Sequence, residues 1–127
     1  MSTILVIDDS DQIRGLLRAA LEIEGYEVIE ASDGVTGVRK YQQERPDLVI
    51  ADIVMPEQDG LGCMMELRQL DPDVRIIAIS GGSQMHTMDV LDVASHLGAS
   101  RVFRKPFDVI QMVAAVGEVL AEKRRAA

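Results

Sequence analysis

Five short β-forming runs, separated by stretches with helical hydrophobic spacing, limit the fold more than any other feature of this sequence. They are Thr3-Ile4-Leu5-Val6-Ile7, Tyr26 to Ala31, Leu48-Val49-Ile50-Ala51, Val74 to Ile79, and Arg101-Val102-Phe103-Arg104. Their length and β-branched content suit strands. The third is apolar without alternation, as in a strand buried on both faces, and it runs straight into Asp52. Pro56 and Asp59-Gly60 then turn the chain.

Between the strands lie five predicted helices. Ser10 suits a cap for a helix with Ile13, Leu16, Leu17, Ala20 and Leu21 inward, and Gly25 suits its end. Asp33-Gly34 open a second helix, with Val35, Val38 and Tyr41 on one side and Arg45-Pro46 at its close. After a loop, Leu61 to Leu70 form a short helix in which Cys63 packs, ended by Asp71-Pro72. Ser83 caps a weakly amphipathic helix from about Gln84 to Leu97, and Asp108 caps the last, whose inner residues are Val109, Met112, Val113, Val116 and Leu120. Strands that alternate with helices demand an α/β fold: a doubly wound, five-stranded parallel sheet with five helices on both faces.

With 127 residues the chain is expected to be one domain, 1–127, with no output domain. Two Phe, two Tyr and no Trp make its core aliphatic, with seven Met as gap-fillers. A formal charge of −8 opposes direct nucleic-acid binding and attachment to anionic membranes. No apolar run reaches spanning length, and Asp8-Asp9 come too early for a signal peptide. Cys63 is the sole cysteine and cannot form an intramolecular disulfide, so a reducing cytoplasmic location is expected.

In such a sheet the strand exits share one edge, where open α/β folds place their ligands. The exits here carry Asp8 and Asp9, Asp52, Ser80 and Lys105. Each alone fits turn or surface chemistry; their joint occurrence at four exits points to a site. Three carboxylates in one pocket repel one another unless a cation joins them. Lys105 supplies one charge, leaving a deficit that a divalent ion would neutralise, and an all-oxygen site suits Mg²⁺ better than zinc. His86, His96 and Cys63 are too scattered for a zinc site. A carboxylate beside Mg²⁺, a lysine and a hydroxyl has the parts for phosphoryl transfer onto Asp52.

These residues carry a resemblance. Ile4-Leu5-Val6-Ile7-Asp8-Asp9, Asp33-Gly34, Pro46 through Pro56, Asp59-Gly60, Ile79-Ser80 and Lys105-Pro106-Phe107 resemble the receiver domains of bacterial two-component response regulators, close to the stand-alone chemotaxis type. The resemblance covers essentially the whole chain. It implies a flavodoxin-like strand order 2-1-3-4-5 and a signalling phospho-acceptor rather than an ordinary enzyme. Asp52 would take phosphoryl from a histidine kinase or phosphotransfer protein, and Asp9, Asp52 and the Val54 carbonyl would bind Mg²⁺, with Asp8 assisting through water. Ser80 and Lys105 would contact the phosphoryl group, and Lys105-Pro106 would be a cis peptide. A downstream protein would dock around the fourth helix, fifth strand and fifth helix.

One departure stands out: Val102 occupies the position where the family usually has Tyr or Phe, and Phe103, one place later, is expected in the core because adjacent strand side chains face opposite ways, unless a bulge restores it to the switch position. Arg104 puts an unusual charge on the expected output face. Glu122-Lys123-Arg124-Arg125 either complement the last helix or begin a linker. Two other classes compete. Asp9-Ser10-Asp11 imitates the nucleophile motif of haloacid-dehalogenase-type phosphohydrolases, but a later acidic metal-binding motif and a cap are missing. A flavodoxin-like mononucleotide carrier would want a Gly-, Ser- or Thr-rich first loop, where Asp8-Asp9 would repel an anion.

Overall fold

The computed structural model describes residues 1–55, 58–80 and 94–122. In chain order the elements are β1 (Thr3–Ile7), α1 (Asp11–Ile23), β2 (Glu27–Ala31), α2 (Gly34–Glu44), β3 (Leu48–Asp52), β4 (Val54–Met55), β5 (Gln58–Asp59), α3 (Gly60–Leu70), β6 (Ile76–Ser80), β7 (Arg101–Arg104) and α4 (Val109–Ala121). Residues 94–96 are also helical and Leu97 is already in a turn; residues 84–93 of the helix expected over Gln84–Leu97, with its Ser83 cap and His86, lie outside the described residues.

The five long strands form one sheet in the order β2-β1-β3-β6-β7, with every neighbouring pair parallel. Counting only these strands, the order is 2-1-3-4-5, as the resemblance implied. Burial follows position in the sheet. All of β3 and β6 is buried, whereas the edge strand β7 alternates. This difference explains why the third run is continuously apolar and the fifth is bounded by arginines. The expected loop after Asp52 is a small antiparallel hairpin instead, in which Val54 pairs with Asp59 and Met55 with Gln58. Two residues per strand carry no readable alternation.

Period-two alternation sends each strand's side chains to two separate cores. Leu5, Ile7, Val49, Ala51, Ile76 and Ala78 pack with Val38 and Tyr41 of α2 and with Met64 and Leu67 of α3. On the other face Ile4, Val6, Ile50, Ile77 and Ile79 pack with Leu17 and Leu21 of α1 and with Met112, Val116 and Val119 of α4. Cys63 is buried in the first core. Leu16 and Val35, both expected inward, are 48% and 62% exposed, because a 3.6-residue turn gives each helix a narrower buried stripe than its apolar residues would fill.

The helix starts are set by side chains replacing missing backbone acceptors. Ser10 Oγ accepts from Ile13 N–H at 3.2 Å, and Asp33 Oδ1 from Thr36 N–H at 2.8 Å. The latter bond holds the Asp33 carboxyl below the usual carboxylate range, against a smaller opposing effect of burial. Asp108 Oδ1 accepts from Ile110 N–H at 2.8 Å. Gly25 and Gly98 follow helical segments with φ of +91° and +97°, the left-handed turn that favours glycine.

Helix α2 crosses the sheet closely at Gly37. An added Cβ there would stand 2.9 Å from Ile7 Cγ1, and Ile7 is fully buried. Overpacking costs about 1–3 kcal/mol and exceeds alanine's helix-propensity advantage of about 1 kcal/mol. Gly37→Ala is therefore expected to lower the denaturant midpoint at unchanged m-value; a midpoint at or above the parent's would show that the core yields freely.

Candidate functional site

The exits of β1, β3, β6 and β7 converge. Asp8 is fully buried, Asp52 is 2% exposed and Asp9 is exposed. Carboxylate oxygens from the three lie within 4.8 Å of one another, although Asp52 is more than forty residues from the other two in the chain. Lys105 Nζ stands 3.0 Å from Asp8 Oδ2 and 3.0 Å from Asp52 Oδ2. Burial alone would lower the lysine's pKa, but the two carboxylates outweigh it and raise the group above its ordinary 10.5. Lys105 joins Pro106 through a cis peptide, and its N–H donates to Ser80 O at 2.9 Å.

Ser80 ends β6 beside the end of β3 and is 1% exposed. Its Oγ has no hydrogen-bond partner among the described residues. A buried hydroxyl left so is costly, by about 1–3 kcal/mol, unless a ligand completes it. Val54 opens β4 two residues beyond Asp52. The sheet thus brings Asp8, Asp9, Asp52, Ser80 and Lys105 to one edge, with Val54 adjoining in the chain. Asp11, the second acid of the imitated phosphohydrolase motif, is 91% exposed and paired with Arg14, and it is not part of the acidic group.

The donor set is all oxygen and carries three formal negative charges against one ammonium. It fits a hard divalent cation that retains water, and offers no nitrogen or thiolate for a softer metal. Together with the buried, uncompleted Ser80 hydroxyl, it suits an anion brought in on a cation: the ion and Lys105 would balance the acids while the hydroxyl donates to the anion.

Strand β7 runs without a bulge through its pairing with β6, where Ala78 faces Val102 and Ile79 faces Phe103. Phe103 packs against the second core and meets Phe107 edge-on, with centroids 6.4 Å apart. Val102 is 40% exposed and Arg104 exposed. The aromatic ring is therefore on the opposite side of the strand from Val102, as alternation required.

One residue at the site was not singled out from the sequence. Arg14, 14% exposed at the side chain, donates from Nε to the Asp8 carbonyl at 2.8 Å. A signal was present: Arg14 lies near the positive end of α1, where a cation is disfavoured unless something else holds it.

A family model described as the response regulator receiver domain matches residues 4–117. The chemotaxis protein CheY of Bacillus subtilis is 36% identical over 119 residues, covering 92% of this chain and 96% of that protein. The probable transcriptional regulator ycf27 of Guillardia theta is 38% identical over 98% of this chain, which spans only 47% of that longer relative. A crystal structure of a response regulator receiver domain protein from Clostridium thermocellum superposes with a TM-score of 0.86 at 30% identity, covering 94% of each chain. The chain belongs to the response regulator receiver domain family. Its function is that of a phospho-accepting response regulator in two-component signalling. Among the described residues, no helix is long and apolar enough to cross a membrane.

Proposed function

We propose that Asp52 is the phosphoryl acceptor and that Asp8, Asp9 and Asp52, with the Val54 carbonyl, hold Mg²⁺. The observation that carries this reading is the convergence of three carboxylates and Lys105 Nζ around a buried Ser80 hydroxyl with no described partner. In the reaction, an Asp52 carboxylate oxygen forms a bond to phosphorus as the phosphorus–nitrogen bond of a phosphohistidine breaks. The imidazole leaves with the electron pair and takes a proton from solvent. Lys105, already beside Asp52, pairs with a phosphoryl oxygen, and Ser80 Oγ–H donates to another. Mg²⁺ bound at the acids supplies the charge that offsets repulsion between the carboxylates and the incoming phosphoryl group.

The donor is a histidine kinase or phosphotransfer protein, and the chain catalyses only its own phosphorylation and dephosphorylation, in the cytoplasm. The added charge alters Ser80 and Lys105 and, through β6 and β7, biases a protein-binding face formed by the helix expected over Gln84–Leu97, β7 and α4. Without an aromatic at 102, Val102 and Arg104 supply that face's strand surface, so its partner must accommodate a cation.

Intact mass after incubation with acetyl phosphate and Mg²⁺ tests the reading. The expected result is a gain of one phosphoryl group that disappears with EDTA and in Asp52→Asn. Uptake persisting in Asp52→Asn would place the acceptor elsewhere.

A further inference from the structure

We infer that Arg14 is a positioning residue for the cation site, acting through the Asp8 carbonyl to set the aim of the Asp9 carboxylate. The inference rests on the reading of Asp8, Asp9 and Asp52 as that site. Asp9 is exposed and makes no hydrogen bond or ion pair of its own among the described residues, so its direction is inherited from the backbone before it. The peptide joining Asp8 to Asp9 is planar, and the rotation of its carbonyl fixes where the nitrogen and Cα of Asp9 go.

Every handle on Asp8 is held. Its N–H donates to Ala31 O at 3.1 Å, its Oδ1 accepts from Ser10 N–H at 2.8 Å, and its Oδ2 is 3.0 Å from Lys105 Nζ. The carbonyl is held by Arg14 Nε at 2.8 Å. That bond comes from a side chain, so it can be removed without altering the strand.

Arg14 is itself fixed. Nη1 donates to Glu30 Oε1 at 3.3 Å, and Nη2 is paired with Asp11 Oδ1. Glu30 is held in turn by Arg18 Nε at 2.5 Å, and its backbone carbonyl accepts from Lys40 Nζ at 2.5 Å. The planar guanidinium thus bridges the β1–α1 turn and the edge strand β2 in one orientation. Asp11 and Glu30 balance its charge, which leaves geometry as its contribution to the acids.

Two uncharged substitutions separate geometry from charge. Gln places its Nε2 where Arg has Nε and can keep the bond to the Asp8 carbonyl; Met has similar length and no donor. Both remove a positive charge near a cation site, so electrostatics alone would make both bind Mg²⁺ at least as tightly as the parent and equally well. Positioning makes them differ. Supporting groups behind metal ligands are typically worth 10–100-fold in metal affinity. Mg²⁺ titration of the unphosphorylated full chain, followed by amide NMR shifts, is expected to show about tenfold weaker binding in Arg14→Met. Arg14→Gln should stay within about threefold of the parent. Phosphoryl uptake from acetyl phosphate should recover in Arg14→Met at saturating Mg²⁺, with thermal melts confirming that both variants fold. Equal affinities in the two variants, or parental affinity in Arg14→Met, would overturn the inference. A parent chain that neither binds Mg²⁺ nor takes up phosphoryl would instead sink the reading of the site itself.

Discussion

Lys105→Met, measured in EDTA, is expected to lower the melting temperature by about 10 °C or more, the largest stability loss from any single change at the strand exits. The lysine stands 3.0 Å from one oxygen each of Asp8 and Asp52, which are at most 2% exposed. Removing it deprives both buried carboxylates, with Asp9 beside them, of that ammonium group. Breaking a buried pair in this way costs about 3–5 kcal/mol, and for a chain of this length each kcal/mol moves the midpoint by about 3–5 °C. Added Mg²⁺ should return part of the loss in the variant by binding only the folded state. The pH dependence has a definite sign. The Lys105 pKa is raised on folding, so its stabilisation is complete below the ordinary lysine value of 10.5 and is lost as pH climbs through the raised value. The gap between parent and variant should accordingly be flat through neutral pH and narrow only in strong alkali. A phosphoryl contact made by the same ammonium predicts uptake slowed by about 10²–10³-fold at saturating Mg²⁺. Unchanged melting in EDTA would mean that the ion pairs contribute nothing net.

Asp52→Asn should abolish phosphoryl uptake and yet, in EDTA, melt above the parent. Within the acidic group Asp52 is repelled by two carboxylates and attracted by one ammonium, and Asn keeps its shape without the charge. Screened at an effective dielectric of roughly 20, one such repulsion across 4.8 Å is worth about 3–4 kcal/mol. Desolvation and imperfect amide hydrogen bonding reduce that, and a gain of about 1–2 kcal/mol, or about 3–10 °C, is expected. Magnesium should reverse the order. At a hundred times its dissociation constant, an ion stabilises the folded parent by about 2.7 kcal/mol, and the variant with one carboxylate fewer gains less. Scanning calorimetry with and without Mg²⁺ measures both signs. A variant less stable than the parent in EDTA would show that the carboxylates are not strained by one another. A variant more stable than the parent would instead mark Asp52 as a residue retained for chemistry at the expense of stability.

Much of this was legible in the residues. The unbroken run Leu48 to Ala51 leading into Asp52 identified a central strand, and Ser10, Asp33 and Asp108 identified helix starts, because burial on two faces and orphan N–H groups each impose a local composition. Other features were not legible. The β4–β5 hairpin is too short to show alternation, and Leu16 and Val35 looked buried because apolar spacing alone does not say how wide a stripe the neighbouring sheet covers. Arg14 was not singled out, since its bond to Asp8 crosses a turn whose shape the sequence does not specify.

The amino-acid sequence by itself determined the alternating α/β order, the parallel sheet that order requires, and the residue types waiting at each strand exit, because these follow from periodicity and from the chirality of crossovers. Only the tertiary structure decided that Asp8, Asp9 and Asp52 come within 4.8 Å, that Lys105 reaches both buried acids, and that Arg14 holds the Asp8 carbonyl. The physical reason is range: periodicity is a local property of the chain, whereas a site of opposed charges depends on strand register and side-chain reach between segments forty or more residues apart.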